Sequence, residues 1–294
     1  MPELPEVETV RTQLAPAVEG RTVEALEVRD PLWCSPAAPA ELAAAVNGRR
    51  VERLARRGKY LIWTLREEVH LVMHLRMTGN LLLVDADEDS DERSYLRVRV
   101  RLDDGRRVLF VDPRRFGTGI VLLGDAALAD YLAARLGIEP LTPEFSVDAL
   151  RALAKGRRTP IKAFLLDQRR IAGVGNIYAD EALFRARIHP FRETGTLKPR
   201  QLAALRDAVV ESLALGIDSR GATIDDFRDI DGARGSFQDA FLVHRREGEP
   251  CPVCGRTIRK LRAAGRGTYV CERCQPRPRA ARRAAPSGTS SKVA

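Results

Sequence analysis

With 294 residues, of which 44% are hydrophobic and 30% charged, the chain can bury more than one core and reads as a globular protein of two domains. No run approaches the ~18 uninterrupted apolar residues of a membrane span, and the N-terminus lacks the basic, apolar, small-residue order of a secretory signal, so a cytoplasmic location is expected. The net charge of +9 favours a polyanionic partner, although Arg277, Arg279, Arg282, Arg283 and Lys292 of that excess sit in the C-terminal tail.

The chain opens MPELPEVETV, where Leu4, Val7, Val10 and Leu14 form one apolar stripe and predict a helix over Pro5 to Leu14. Taken alone, this is an ordinary helix start behind a frayed terminus. The stretch RRVERLARRGK (Arg49 to Lys59) then carries six basic residues and one acid. Period-two runs follow: YLIWTL, VHLVMHL, NLLLV, YLRVRVRL, RVLFV and GIVLL predict strands, and DDG at Asp103 to Gly105 predicts a hairpin turn. Six acids in DADEDSDE (Asp85 to Glu92) predict a mobile, solvated hairpin loop. The expectation is an antiparallel β domain ending near Leu123, a sandwich.

The Pro-rich stretch GIEPLTPEF introduces a helical half, with helices predicted around Asp148 to Ala154, Pro160 to Leu166, Asn176 to Phe184 and Pro199 to Leu215. The fold class is α+β. The expected divisions are 1–124 (β-sandwich with the first helix), 125–146 (linker), 147–244 (helical domain), 245–275 (cysteine module) and 276–294 (disordered basic tail).

Four cysteines stand as CPVC (Cys251, Cys254) and CERC (Cys271, Cys274) across sixteen intervening residues. Four thiolates at this spacing close a tetrahedral zinc site with no open position, so one structural zinc is expected; two disulfides are the alternative, which a cytoplasmic setting disfavours. Cys34 reads as an incidental thiol. Between the pairs, IRKLRAAGRGTYV forms a hairpin whose tip presents Arg266, either a protein contact or a phosphate ligand.

Three further motifs gain meaning together. In RIAGVGNIYADEALF, Gly173 and Gly175 bracket a tight turn and Asn176 opens a helix, a place where freed N–H groups and an amide can meet phosphate; alone it is an ordinary loop. DPRRFG (Asp112 to Gly117) and MHLRMTG place Arg114, Phe116 and Met77 on turns, either plain surface turns or wedges that fill a base stack when a nucleotide is extruded. Met1 precedes a small residue, so its removal and a free Pro2 secondary amine are expected. With a pKa near 8, about a tenth of such an amine is unprotonated at pH 7. Attack on a sugar C1′ yields an iminium that cannot lose its charge by deprotonating nitrogen. Glu3 beside it can move protons, and Glu6 can support the site.

With PELPEVE, RRGKY, MHLRMTG, DPRRFG, GVGNIYADEALF, GEPCPVC and GTYVCERCQ in this order, the chain resembles the formamidopyrimidine-DNA glycosylase family from roughly Pro2 to Gln275. The resemblance implies an N-terminal β-sandwich, a helix-two-turns-helix domain and a zinc finger, with double-stranded DNA in the cleft and a monomer as the working unit. It implies excision of oxidised purines, chiefly 8-oxoguanine opposite cytosine and formamidopyrimidines, followed by β- and δ-elimination. By the same resemblance Pro2 is the nucleophile, Glu3 the proton donor, and Lys59 a phosphate contact that assists elimination. Met77, Arg114 and Phe116 fill the duplex gap, Arg114 facing the orphaned cytosine; His74, Asn176 and Arg266 contact phosphate, and zinc only holds the hairpin.

The chain departs from the family at Arg76, where Gly is frequent, at Asp225, where some relatives are basic near a lesion-capping loop, and at His244, where Tyr is common. The related endonuclease VIII type, favouring oxidised pyrimidines, usually begins Pro-Glu-Gly-Pro and lacks the DPRRFG wedge. A catalytically silent DNA-binding relative need not keep Pro-Glu after Met1; both are present here.

Overall fold

The computed structural model describes residues 2–86, 93–224 and 226–278. Most of the acidic hairpin loop, Asp225 and nearly all of the tail lie outside the described residues.

Helix α1 (Leu4–Val18) runs four residues beyond the expected end and contains Pro16. Pro16 forfeits one main-chain bond, and burial of Ala15, Ala17 and Val18 on the sheet below offsets that loss. Strand β1 (Val23–Val28), helix α2 (Pro39–Val46) and strand β2 (Val51–Arg57) come next. Strands β3 (Tyr60–Leu65), β4 (Val69–His74), β5 (Asn80–Val84), β6 (Leu96–Leu102), β7 (Arg107–Val111) and β8 (Thr118–Leu123) then match the period-two runs. They form two four-stranded antiparallel sheets, in the orders β1-β6-β7-β5 and β2-β3-β4-β8. β1 and β2 escape the sequence reading because VEALEV and VERLARR bury every third residue instead of every second.

Within the expected linker the chain forms helix α3 (Asp125–Ala133), which packs on β8. Helices α4 (Val147–Ala154), α5 (Ile161–Leu166), α6 (Asn176–Arg185) and α7 (Pro199–Asp218) build the helical half, and β9 (Arg259–Ala263) pairs with β10 (Arg266–Val270) in the terminal hairpin.

Two cores result, and α1 belongs to both. Val7, Val10 and Leu14 pack with Trp63, Met73 and Phe110 inside the sandwich, whereas Leu4 packs with Phe164, Tyr178 and Phe237 in the helical half. All four stripe residues are fully buried, each contributing about 1.5–3 kcal/mol. Residues 222–235 return from the helical half: Phe227 and Ile230 insert into the sandwich core, and Leu83 N–H donates to Ile230 O at 3.0 Å. The start of α1 is therefore held at the seam between the halves.

Candidate active site

The seam concentrates the charged groups. Glu3 precedes the first residue of α1 and is 2% exposed; its Oε1 accepts from Ile177 N–H at 3.1 Å, while its buried Oε2 has no hydrogen-bond partner among the described residues. Gly175 is what admits this carboxyl: a Cβ there would lie 2.5 Å from Oε2 and closer still to Oε1 and Cδ. Pro2 is buried beside it.

Glu6 lies deeper. Its Oε1 accepts from Tyr178 O–H and Ala222 N–H, both at 2.7 Å, and its Oε2 from Glu3 N–H at 2.8 Å. Burial first, and then the Glu3 charge, push the Glu6 carboxyl above its ordinary value. With these bonds made, Glu6 ties α1 to α6 and to the 222–235 segment, a bracing position behind Glu3.

Lys59 sits in the Gly58–Lys59 turn between β2 and β3 and is 5% exposed. Burial pushes its ammonium below the usual lysine value; the Glu3 charge opposes this and Arg266 adds to it. The turn is fixed from the linker side, where buried Glu139 accepts from Arg56, Arg57 and Gly58 N–H. His74 ends β4, packs edge-on against Tyr60 at 4.7 Å, and accepts Arg76 N–H on Nδ1 at 2.9 Å. Burial, then Arg76 and Lys59, lower its pKa to about 3, so the ring is neutral and must carry its proton on Nε2. Arg76 itself adopts φ +55°, a left-handed conformation that glycine would take without strain.

A cavity of about 350 Å³ is lined by Glu3, Met77, Asn176, Ile224, His244 and Arg266. A second, of about 170 Å³, is lined by Lys59, His74, Arg76, Gln168, Gly175 and Arg266. The structure thus brings Glu3, Met77 and Asn176 to one side of Arg266 and Lys59 and His74 to the other. Arg266 opens β10 beside the Ala264–Gly265 tip, as the hairpin reading expected. Asn176 is less free than the sequence implied, because its Nδ2 donates to Gly267 O at 3.1 Å, and its Oδ1 is buried without a partner among the described residues.

Arg114 and Phe116 stand apart from both cavities on an exposed turn, with the Arg114 guanidinium 4.7 Å over the Phe116 ring. Phe116 is 49% and Met77 36% exposed. Sequence reasoning missed what holds them. Fully buried Asp112 accepts from Thr78 Oγ1, from Arg114 N–H at 3.2 Å and from Gly117 N–H at 2.7 Å, joining the Met77 turn to the Phe116 turn. Arg115, at φ +59°, is locked by a bidentate pair to Asp30 at 2.6 and 2.8 Å.

The hairpin is held by a second missed network. Lys162 Nζ, completely buried, donates to Asp180 Oδ1 (2.6 Å), Thr268 Oγ1 (2.8 Å) and Gly267 O (3.1 Å). Asp180 Oδ2 meets His244 Nδ1 at 2.9 Å, and Glu181 Oε1 accepts the N–H groups of Val243 and His244 at 3.0 and 2.9 Å. His244 is buried, edge-on to Phe241 and Tyr269.

The four sulfurs of Cys251, Cys254, Cys271 and Cys274 all lie within 4.8 Å of one another, with 3.8 Å between Cys251 and Cys274 and 3.5 Å between Cys254 and Cys271. A tetrahedron with Zn–S bonds of about 2.3 Å has edges of about 3.8 Å, so the cluster fits one zinc ion. The separations are too long for disulfides, and all five cysteines are free thiols.

Comparison with known proteins accounts for this arrangement along the chain. The model of the formamidopyrimidine-DNA glycosylase N-terminal domain matches residues 1–119, that of its H2TH domain residues 136–228, and that of the zinc finger found in FPG and IleRS residues 248–277. The formamidopyrimidine-DNA glycosylase of Symbiobacterium thermophilum is 45% identical over 280 residues, covering 95% of this chain and 90% of its own length. This chain belongs to the formamidopyrimidine-DNA glycosylase family. The Chloroflexus aurantiacus enzyme of that name is also 45% identical, over 94% of this chain and 98% of its own. Among solved structures, a Lactococcus lactis FPG mutant in complex with Fapy-dG-containing DNA superposes with a TM-score of 0.87 at 33% identity, covering 94% of this chain and all of that one. The FPG protein of Thermus thermophilus gives 0.82 at 42% identity, covering 93% and 98%. Family membership makes this a DNA-repair glycosylase carrying a zinc finger, and no helix among the described residues is long and apolar enough to cross a membrane.

Proposed function

We propose that this member of the family is a bifunctional glycosylase and lyase that removes oxidised purines, 8-oxoguanine and formamidopyrimidines, from double-stranded DNA and then cuts the strand. The observation that carries the reading is the Glu3 carboxyl: buried beside Pro2, held through one oxygen, with the other oxygen unpartnered at a cavity rimmed by Asn176 and Arg266. The Lactococcus lactis relatives bound to Fapy-dG DNA and to abasic-site DNA support the choice of partner.

After removal of Met1, the Pro2 nitrogen attacks C1′ and the C1′–N bond to the base breaks, its electron pair leaving with the base, which takes up a proton. Glu3 delivers a proton to the ring oxygen O4′ as the sugar opens, and the N–C1′ bond becomes an iminium. Loss of a C2′ proton expels the 3′ phosphate, and a further elimination expels the 5′ phosphate. Water then releases Pro2. Lys59, its ammonium pushed below the usual lysine value by burial, neutralises phosphate and assists proton removal, while His74 Nε2–H and Arg266 grip the backbone. Asn176 shares its amide between the hairpin and phosphate. Met77, Arg114 and Phe116, organised by Asp112, fill the gap, with Arg114 facing the orphaned cytosine. The protein works as a monomer in the cytoplasm, with the zinc ion purely structural.

The test is cleavage of duplexes carrying 8-oxoguanine, a formamidopyrimidine or an oxidised pyrimidine, with borohydride present during reaction. The expected adduct maps to Pro2 and forms fastest on the purine lesions. An adduct on a lysine, with a protein blocked at its N-terminus still active, would refute the mechanism. Faster cleavage of the oxidised pyrimidine would refute the substrate.

A further inference from the structure

The loop at 172–176 is the surface on which the start of α1 rests, and it approaches without slack. Leu4 N–H donates to Gly173 O at 3.1 Å, and Ile177 N–H, just beyond the loop, holds Glu3. Gly173 adopts φ +87°, and a Cβ on it would sit 2.6 Å from the Leu4 side chain. A loop of such glycines has the freest backbone available to a chain, so some group must fix it. Gln168 does so: its Nε2 donates to Leu166 O (3.1 Å) and Val174 O (2.8 Å), and its Oε1 accepts Gly173 N–H at 2.8 Å. Gly173 is thereby pinned at both ends, by Gln168 on its N–H and by Leu4 on its carbonyl.

Gln168 also lines the smaller cavity beside Lys59, His74 and Arg266, which invites a different role as a phosphate ligand. The hydrogen-bond inventory decides between the two. A glutamine amide has two N–H donors, and both are engaged by main-chain carbonyls, leaving none for an anion. We propose that Gln168 is a positioning residue for Pro2 and Glu3, acting through the Gly173–Leu4 contact, and that it makes no direct contribution to DNA affinity. This inference rests on the proposed roles of those two residues.

The experiment compares wild type with Gln168→Met, which keeps side-chain length and packing but makes no hydrogen bonds, and with Gln168→Glu, which keeps the acceptor for Gly173 N–H but sets a carboxylate against two carbonyls. Three quantities are read: affinity for a duplex with a tetrahydrofuran abasic analogue and its salt dependence, the single-turnover rate of borohydride trapping on an 8-oxoguanine duplex, and thermal melting. Both variants are expected to trap about 10- to 100-fold more slowly, the cost of a displacement of order 1 Å at a reacting group, with affinity within about threefold of wild type and an unchanged salt slope. Gln168→Glu should be the slower. A weakened affinity with a shallower salt slope and a normal trapping rate would overturn the proposal in favour of a phosphate ligand. If either variant fails to melt cooperatively, the other decides. Wild-type adduct on Pro2 with both variants at wild-type rate overturns this proposal alone, whereas a wild-type adduct on a lysine overturns the Pro2 mechanism and this proposal with it.

Discussion

Gly175→Ala is the sharpest perturbation available at the site, because it adds one methyl group to a backbone that alanine can adopt. Gly175 is at φ −127°, so no conformational strain accompanies the change. The new Cβ would start 2.5 Å from Glu3 Oε2 and nearer to the other carboxyl atoms. Ordinary contact needs about 3.5 Å, so the carboxyl must retreat by about 1 Å, and the Ile177 N–H bond that aims it is the contact that gives way. A misplacement of that size at a proton donor costs about 100-fold in rate, against about 10²- to 10⁴-fold for removing the acid function with Glu3→Gln. Single-turnover excision on an 8-oxoguanine duplex should therefore fall about 100-fold in Gly175→Ala, while cutting of a ready-made abasic site, whose hemiacetal sugar opens to the aldehyde without an acid at O4′, should fall much less. Melting should shift little, since Glu3 supplies a single hydrogen bond to α6. Excision within about twofold of wild type would refute the assignment of Glu3, and equal loss on both substrates would show that the methyl group disrupts DNA seating instead.

Metal analysis of protein with reduced thiols should find one zinc per chain, and Cys271→Ser should weaken DNA binding while the β-sandwich stays folded. His74→Gln should flatten the acid limb of stability: the ring titrates near 6.5 unfolded but at about 3 folded, so the stability of its neutral form is complete above pH 6.5 and drains away as pH falls toward 3, by of order 3 kcal/mol near pH 4.5. Denaturant titrations of both proteins across that range check it, and parallel curves would refute a buried neutral His74. Phe116→Ala should bind an abasic duplex normally yet fail on stacked 8-oxoguanine; equal loss on both would count against a wedge. Asp112→Asn should reproduce that failure in part and lower stability by about 1–3 kcal/mol, since a buried acceptor of main-chain N–H groups is disrupted.

The sequence exposes what is local. The stripe of α1, the apolar runs of β3 to β8, the cysteine spacing and the Gly173–Gly175 turn all rest on neighbours a few residues apart, and each is found where the local pattern placed it. The short alanine-rich α2 and α3 carry too little pattern to announce themselves, and both are secured by packing on strands. Buried charge is less legible still. Asp180 and Glu181 look like ordinary helix acids in NIYADEALF, yet their partners are Lys162 on another helix and main-chain groups more than sixty residues on. Asp112 reads as a turn former in DPRRFG, and its link to Thr78 appears only once β5 and β7 pair. The one available signal is chemical: an acid flanked by small apolar residues on a helix face that must be buried needs a partner from somewhere.

Sharing α1 between two cores would let the proposed chemistry sit at Pro2, next to a chain terminus. Terminal residues ordinarily fray, and a nucleophile on a frayed end would lose the orientation that makes attack efficient. Here Leu4 is anchored in the helical core and Val7 in the sandwich one turn later, so the first turn of the helix cannot rotate without breaking into one core or the other. Glu6 closes the remaining freedom by accepting Glu3 N–H from in front and Tyr178 and Ala222 from behind. Glu6→Gln, which replaces one acceptor oxygen by a donor, must then set an N–H group against one of these donors. It should slow both excision and abasic-site cutting while leaving affinity for the tetrahydrofuran duplex nearly unchanged, because its partners Glu3, Tyr178 and Ala222 are not among the residues proposed to grip phosphate. Loss of affinity in step with rate would mean that the brace shapes the DNA groove as a whole and not the terminus alone.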